Sequence, residues 1–305
     1  MMAKAGHVCL LFGVILGPGC AGMQRDSGTD SKGPRTLLSW SAGRDTEPES
    51  STDSDAPRKP EAEDTIVTDR PDFTEASSTV GKGRIQLEAG YTCSSDRSIG
   101  VTSTGHSYPE ALLRIGVLAD WFEFRIAQNF GHAPIGTLDG VFLNNGAEDL
   151  YLGVKLGLTE QKRVLPEVAL ILQTNIPTGD QDLTSGKIEP GFNLLYGWDV
   201  IEDLISIAGS SQANRGINPS GRGYLELAQS LTVGYTLTDR VGAYTEWFAI
   251  IPASAMSSEI GPEQYFNGGF TFRPRPNIQF DIRAGVGLNQ HATDFFAGSG
   301  FAVRY

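Results

Sequence analysis

From Asp294 to Tyr305 the chain alternates residue by residue, so that in an extended strand Phe295, Ala297, Ser299, Phe301, Val303 and Tyr305 share one side. Phe296, Gly298, Gly300, Ala302 and Arg304 take the other. One side is apolar and ends on an aromatic ring, whereas the opposite side is small or charged. The same period of two recurs about a dozen times, which is the weak, repeated signal of a closed sheet with lipid outside and water within.

The predicted strands can be set out by their faces. Arg84 to Cys93 places Ile85, Leu87, Ala89, Tyr91 and Cys93 outward and Arg84, Gln86, Glu88, Gly90 and Thr92 inward. Glu110 to Ala119 sets Ala111, Leu113, Ile115 and Val117 against Glu110, Leu112, Arg114 and Gly116. Trp121 to Phe130 sets Phe122, Phe124, Ile126 and Phe130 against Glu123, Arg125, Ala127 and Asn129. The cleanest strand sets Leu150, Leu152, Val154, Leu156 and Leu158 against Asp149, Tyr151, Gly153, Lys155 and Gly157. Val164 to Ile176 and Ile188 to Asp199 follow, and then Leu204 to Ala213, Gly223 to Thr236, Arg240 to Ile251, Glu263 to Arg273 and Asn277 to Asn289. Most are near the ~9 to 11 residues a tilted strand needs to cross a bilayer.

The connections alternate as well. Ser94 to Ser107, Gly131 to Ala147, Pro177 to Lys187, Asn214 to Arg222 and Pro252 to Pro262 are long. Asp120, Thr159 to Arg163, Val200 to Asp203, Leu237 to Asp239 and Pro274 to Pro276 are short, and Gln290 to Asp294 is modest. Outer-membrane barrels have short periplasmic turns and longer outer loops. This parity gives an even number of strands, about 12, in an all-β, antiparallel, up-and-down transmembrane barrel over 83–305, with both ends of the barrel facing the periplasm.

Ahead of the barrel, Met1 to Ala21 carries Lys4 and His7, the apolar run Val8 to Leu16 and then small residues, and reads as an export signal. Leu16-Gly-Pro-Gly-Cys20 resembles a lipoprotein box, although its Leu sits one place early, so Cys20 is a lipidation candidate beside ordinary cleavage after Ala21. Residues 22–65 are rich in Ser, Asp, Glu, Pro and Thr and are expected to form a disordered acidic linker in the periplasm. Within it Leu37-Leu-Ser-Trp40 is either a short docking motif or mere spacer. A lead-in segment at 66–82 then precedes the first strand.

Composition narrows the function classes. With 36 Asp+Glu against 24 Lys+Arg in 305 residues, and no basic patch, a nucleic-acid partner is not expected. Gly 37 against Met 4 and Cys 3 suits strands and turns, since glycine is poor in helix interiors. No apolar run reaches the roughly 18 residues of a transmembrane helix. Cys93 has no obvious disulfide partner once the signal is removed.

The segment Asp69-Arg-Pro-Asp-Phe-Thr-Glu75 resembles the opening of the transporter family associated with meta-pathway phenol degradation. Asn175-Ile-Pro-Thr-Gly179, Tyr196-Gly-Trp198 and Gly242-Ala-Tyr-Thr-Glu-Trp247 are similar to later pieces of it, and the likeness spans Thr68 to Tyr305. The resemblance implies an outer-membrane barrel that passes small organic compounds, aromatic ones among them. The lipobox-like site and the acidic spacer depart from the family pattern.

With the apolar face outward, the lumen-lining candidates are Arg84, Glu88, Arg114, Glu123, Arg125, Lys155, Glu167, Glu246, Asp281 and Arg283; Glu189, Glu226, Arg273 and Arg304 share their face. A Lys or Arg against mid-membrane lipid costs roughly 2 to 4 kcal/mol, so this sorting carries information. Such charges either pair and fill the lumen or form a polar constriction that filters solutes. Inward Tyr151, Tyr244, Phe248 and Phe296 line a solute path or simply pack the lumen. Whether Asp69 to Glu75 enters the barrel is open from sequence.

Enzymatic signals are thin. His106, His132 and His291 fall in predicted loops, and no His-x-x-x-His or Cys-x-x-Cys spacing suggests zinc. Ser103 near His106 would be the pair for a barrel-borne hydrolase, and Asp180 with Asp182 a calcium loop; hydrated loops explain both. The expectation is an outer-membrane channel or transporter for small organic solutes, hydrophobic or aromatic ones among them, with no enzyme activity, cofactor or metal. Its partners are membrane lipid, the solutes, and the barrel-assembly machinery through terminal Tyr305. A plugged structural or anchoring barrel is the alternative.

Overall fold

The computed structural model describes residues 35–38, 65–98, 101–137, 140–218, 220–255 and 261–305. The export signal, Cys20, Ser39-Trp40 and the rest of the acidic linker lie outside the described residues. Every regular element is a strand: β1 (Ile85–Ser98), β2 (Val101–Gly116), β3 (Phe122–Thr137), β4 (Gly140–Ala147), β5 (Leu150–Thr159), β6 (Glu167–Ile176) and β7 (Glu189–Ile201). They continue with β8 (Ile205–Ile217), β9 (Gly223–Thr238), β10 (Val241–Pro252), β11 (Glu263–Arg275), β12 (Ile278–Gly287) and β13 (Phe295–Arg304).

Neighbouring strands pair antiparallel, and the sheet closes because β1 pairs with both β2 and β13. Thirteen strands occupy twelve positions, since β3 pairs with β4 along its upper half and with β5 along its lower half. Closure leaves no strand edge unpaired in lipid. The short turns gather at one end, with the start of β1 and the end of β13; hairpins and longer loops gather at the other.

Side-chain facing inverts the pattern of a water-soluble protein. Phe124, Ile126, Leu172, Phe270 and Ile282 are exposed on the outer surface, while Arg114, Lys155, Glu88 and Glu123 are 0 % exposed inside. In β5 burial alternates strictly along the strand, following the period read from Leu150 to Leu158.

Two expected loops are strands instead. Most of Ser94 to Ser107 belongs to a hairpin of β1 and β2, and much of Gly131 to Ala147 to one of β3 and β4. Consequently His106 and His132 sit on strands, directly opposite one another, and Ser103 also lies on β2. Beyond the lipid band an antiparallel ladder needs only its backbone bonds, so no apolar period marks these extensions. His291 does fall in a connection, between β12 and β13.

Where β4 gives way to β5, at Glu148-Asp149, the loop after β6 fills the gap. Asp180 accepts from the Ala147 amide at 2.7 Å, and Asp149 accepts from the Gly179 amide at 3.0 Å. Asp180 therefore acts as a loop fastener. At the opposite end, the amides of Leu37 and Leu38 donate to Gly157 O and Leu158 O of β5 at 2.9 and 2.8 Å, which gives this part of the acidic linker a fixed contact.

Candidate functional site

The segment from Thr65 to Arg84 enters the barrel from the turn end, climbs to an apex at Pro71–Phe73 and returns. Ile66 N donates to Pro276 O in the β11–β12 turn as the chain goes in, and Thr79 Oγ1 donates to Asp120 O in the β2–β3 turn as it comes out. A stretch with Pro71 and no period of two cannot join the sheet as a central strand, so its backbone groups find wall side chains instead.

Glu88 of β1 accepts from the amides of Asp69 and Arg70 at 3.0 and 3.1 Å. Glu246 of β10 accepts from the amides of Phe73 and Thr74 at 2.6 and 2.7 Å, from the Thr74 and Thr232 hydroxyls, and from the Asn267 amide group at 2.7 Å. Glu123 of β3 takes the Val80 amide at 2.8 Å. These carboxylates act for the plug as neighbouring strands act for one another.

Charge pairing runs through the same contacts. Asp69 lies 2.6 Å from Arg125, 3.1 Å from Lys155 and 3.4 Å from Arg114, and it accepts from the Ala76 amide. Arg125 also reaches Glu75 at 3.0 Å, and Arg114 reaches Glu88 and Glu123 at 3.1 and 2.9 Å. Higher up, Arg70 pairs with Glu110 at 2.6 Å and approaches Asp281 at 3.4 Å, while Arg283 donates to Pro71 O at 2.9 Å. Glu110 adopts a φ of 45°, in the left-handed region, beside the irregular β2–β3 register.

The wall makes room for Arg70 with glycines. Gly90 and Gly300 face each other across β1 and β13, and a Cβ on either would overlap the Arg70 guanidinium. Gly116 does the same for the plug backbone at Gly81. Glycine is required here because another backbone or a guanidinium passes against the sheet.

Above the apex the lumen is aromatic. Phe73 stacks on Phe248 with centroids 4.5 Å apart, Phe248 stacks on Tyr265 at 4.7 Å, and Phe296 meets Tyr265 edge-on at 6.0 Å. Arg283 lies over Phe296 at 5.6 Å. A polar rail of Tyr151, Gln173 and Asn214 crosses the facing wall through bonds of 3.2 and 2.8 Å.

Most residues singled out from sequence thus meet on one structure. Glu88, Arg114, Glu123, Arg125, Lys155, Glu246, Asp281 and Arg283 all bear on the plug, and Glu167, at the start of β6, lies near Ser77 of the returning segment. Phe248 and Phe296 join the aromatic stack, while Tyr151 packs with Leu112 and Ala127. Tyr244 is buried and inward, beside Gly269. Arg84 is the exception: it precedes β1 and flanks Gly81 at the turn end, because the strand begins one residue later than its alternation suggested. The plug residues Asp69, Arg70, Asp72, Phe73 and Glu75 carry no lone signal of function, though the dense charge of that stretch mirrors the inward charges of the strands.

No curated protein sequence matches the chain. Residues 68–305 match the family described as "Putative MetA-pathway of phenol degradation". The fold is similar to the crystal structure of the COG4313 outer membrane channel from Pseudomonas putida F1, with a TM-score of 0.58 at 12% identity over 75% of this chain and 98% of that one. The NanC porin also aligns, at a TM-score of 0.49 and 10% identity over 72% of this chain and 98% of that one.

Proposed function

Because the chain belongs to the family of the phenol-degradation MetA pathway, we propose that it is an outer-membrane channel for small organic compounds, aromatic or hydrophobic ones among them. The observation that carries this reading is the Phe73–Phe248–Tyr265–Phe296 stack, which offers a run of ring faces inside a barrel whose other inward groups are polar, charged or in small apolar clusters such as Leu112–Ala127–Tyr151. The similar solved structure of an outer membrane channel supports the same class.

In this reading the short-turn end faces the periplasm, the N-terminal extension lies there, and the exposed apolar belt meets outer-membrane lipid. Tyr305, which directly follows β13, is the contact for the assembly machinery. The lumen-lining residues act in two groups: the ion-paired set below holds the plug, and Tyr151, Tyr244 and Phe248 guide the solute above it. A solute passes only when the plug yields.

The experiment is solute flux through liposomes carrying the mature protein, comparing a toluene-like with a sugar-like solute of similar size against protein-free vesicles. Selective passage of the aromatic is expected, and Phe248→Ala should reduce it. The latched plug itself favours a second reading, a closed structural barrel. Passage of neither solute through folded protein would establish that reading and end the first.

A further inference from the structure

The plug apex holds one acid that the ion pairs leave out. Asp72 is 1 % exposed, and neither of its carboxylate oxygens has a hydrogen-bond partner among the described residues. It faces Glu246 from β10, Arg283 from β12 and Thr232 from β9. The single Thr232 proton is directed to Glu246 or to Thr74 Oγ1, at 2.9 and 2.8 Å. Arg283 gives Nη1 to Pro71 O and Nη2 to Thr92 Oγ1, lies 3.8 Å from Glu110, and bonds neither Asp72 oxygen through its unpartnered Nε.

Glu246 is in the opposite condition. Five donors converge on its two oxygens, three of them on Oε1, which marks it as the ionised member of the pair. A second ionised carboxylate beside it, buried and without a hydrogen-bond donor, would meet desolvation and the Glu246 charge with only Arg283, itself shared with Glu110, to offset them. The wider charge count points the same way. Around the plug, eight buried carboxylates have been named, with Asp72 among them, against the five cations Arg70, Arg114, Arg125, Lys155 and Arg283. Positive charge is in deficit, and at Asp72 both oxygens lack any donor.

We propose that the seated plug carries a proton on Asp72, so that the apex is latched when this carboxyl is neutral and loosens when it ionises against Glu246. The step is a simple ionisation: the O–H bond of Asp72 breaks, the proton goes to solvent as the apex lifts, and the carboxylate gains water. One proton lost per opening makes seating weaker by about tenfold per pH unit, from the ordinary carboxylate range, where Asp72 ionises in the open plug, up to the pH at which it ionises in the seated one. Outside that window seating does not change with pH. The latch concerns the plug alone, whether or not a solute follows it.

The test is hydrogen exchange of the Phe73 and Thr74 amides in the full chain in liposomes, expressed as protection relative to the unstructured rate, from about pH 5 to about pH 9. Wild-type protection should fall with that slope from the acid end of the range and level off where the seated Asp72 ionises. Asp72→Asn, which keeps the shape and cannot ionise, should stay protected across the range. Flat wild-type protection, a slope that survives in Asp72→Asn, or an Asp72→Asn plug exposed at every pH would each overturn the latch. Glu246→Gln supplies a second check: with the repelling charge gone, the seated Asp72 ionises at lower pH, so the fall should level off earlier and be smaller in total, and an unchanged profile would refute the pairing. Flux measured in the same vesicles separates the two claims, since absent flux with the expected exchange slope removes the channel and leaves the latch.

Discussion

Asp69→Asn is the sharpest perturbation of the plug, because one carboxylate there meets three cations. Its oxygens lie 2.6 Å from Arg125, 3.1 Å from Lys155 and 3.4 Å from Arg114, and all four side chains are 0–1 % exposed. Removing one partner of a buried ion pair costs about 3 to 5 kcal/mol, since the charge left behind stays desolvated. Arg114 and Arg125 keep Glu123, and Arg125 also keeps Glu75, which places the cost toward the lower end. At ~1.4 kcal/mol per decade, about 3 kcal/mol weakens seating by roughly two orders of magnitude. The barrel should survive, because its ladder of backbone bonds does not involve Asp69. The assay is hydrogen exchange at Ala76 and Val80, whose amides bond to Asp69 and Glu123, together with heat-dependent gel mobility for the barrel. Unchanged protection at both amides would show that the ion pairs do not hold the plug. Loss of the folded barrel would show that plug and wall form one cooperative unit.

Three further outcomes follow from the geometry. Val154→Arg places a cation on the outward face of β5 between Phe124 and Leu172, and should block assembly through a cost of roughly 2 to 4 kcal/mol; normal insertion would mean that the faces are inverted. Gly90→Ala pushes a methyl into the Arg70 guanidinium and meets no wall backbone, so it should cost about 1 to 3 kcal/mol of plug seating while leaving strand pairing intact, read as raised ion conductance; unaltered conductance would show that Arg70 moves aside freely. Glu148, at the gap between β4 and β5, has its carboxyl pushed up to about 7 by burial, with Glu110 and Asp149 adding to the effect. Its folded value is raised, so its contribution is complete below the ordinary carboxylate range and is lost as pH climbs through about 7; protection of the Gly179 and Asp180 amides, relative to the unstructured rate, should fall over that range in wild type and not in Glu148→Gln.

A period of two, read from the sequence alone, placed Val154 outside and Lys155 inside, its recurrence gave about twelve strands, and the parity of connection lengths made that count even and set both barrel ends together. Both follow from local physics: alternate side chains take opposite faces, and lipid tolerates only one kind of residue. Strand extensions past the lipid band were not legible, because Ser94 to His106 no longer has to alternate once water replaces lipid on both faces. Nor was the gap at Glu148-Asp149, which is filled by a loop some thirty residues onward. The plug was least legible of all. Asp69 meets Lys155 across a sequence separation of 86 and Phe73 meets Glu246 across 173, so no window of sequence contains both partners. The inward charges could be counted from the chain. Only closure of the barrel decided that Arg114, Arg125 and Lys155 converge on Asp69, that Gly90 and Gly300 leave room for Arg70, and that Asp72 is left beside Glu246 with no donor.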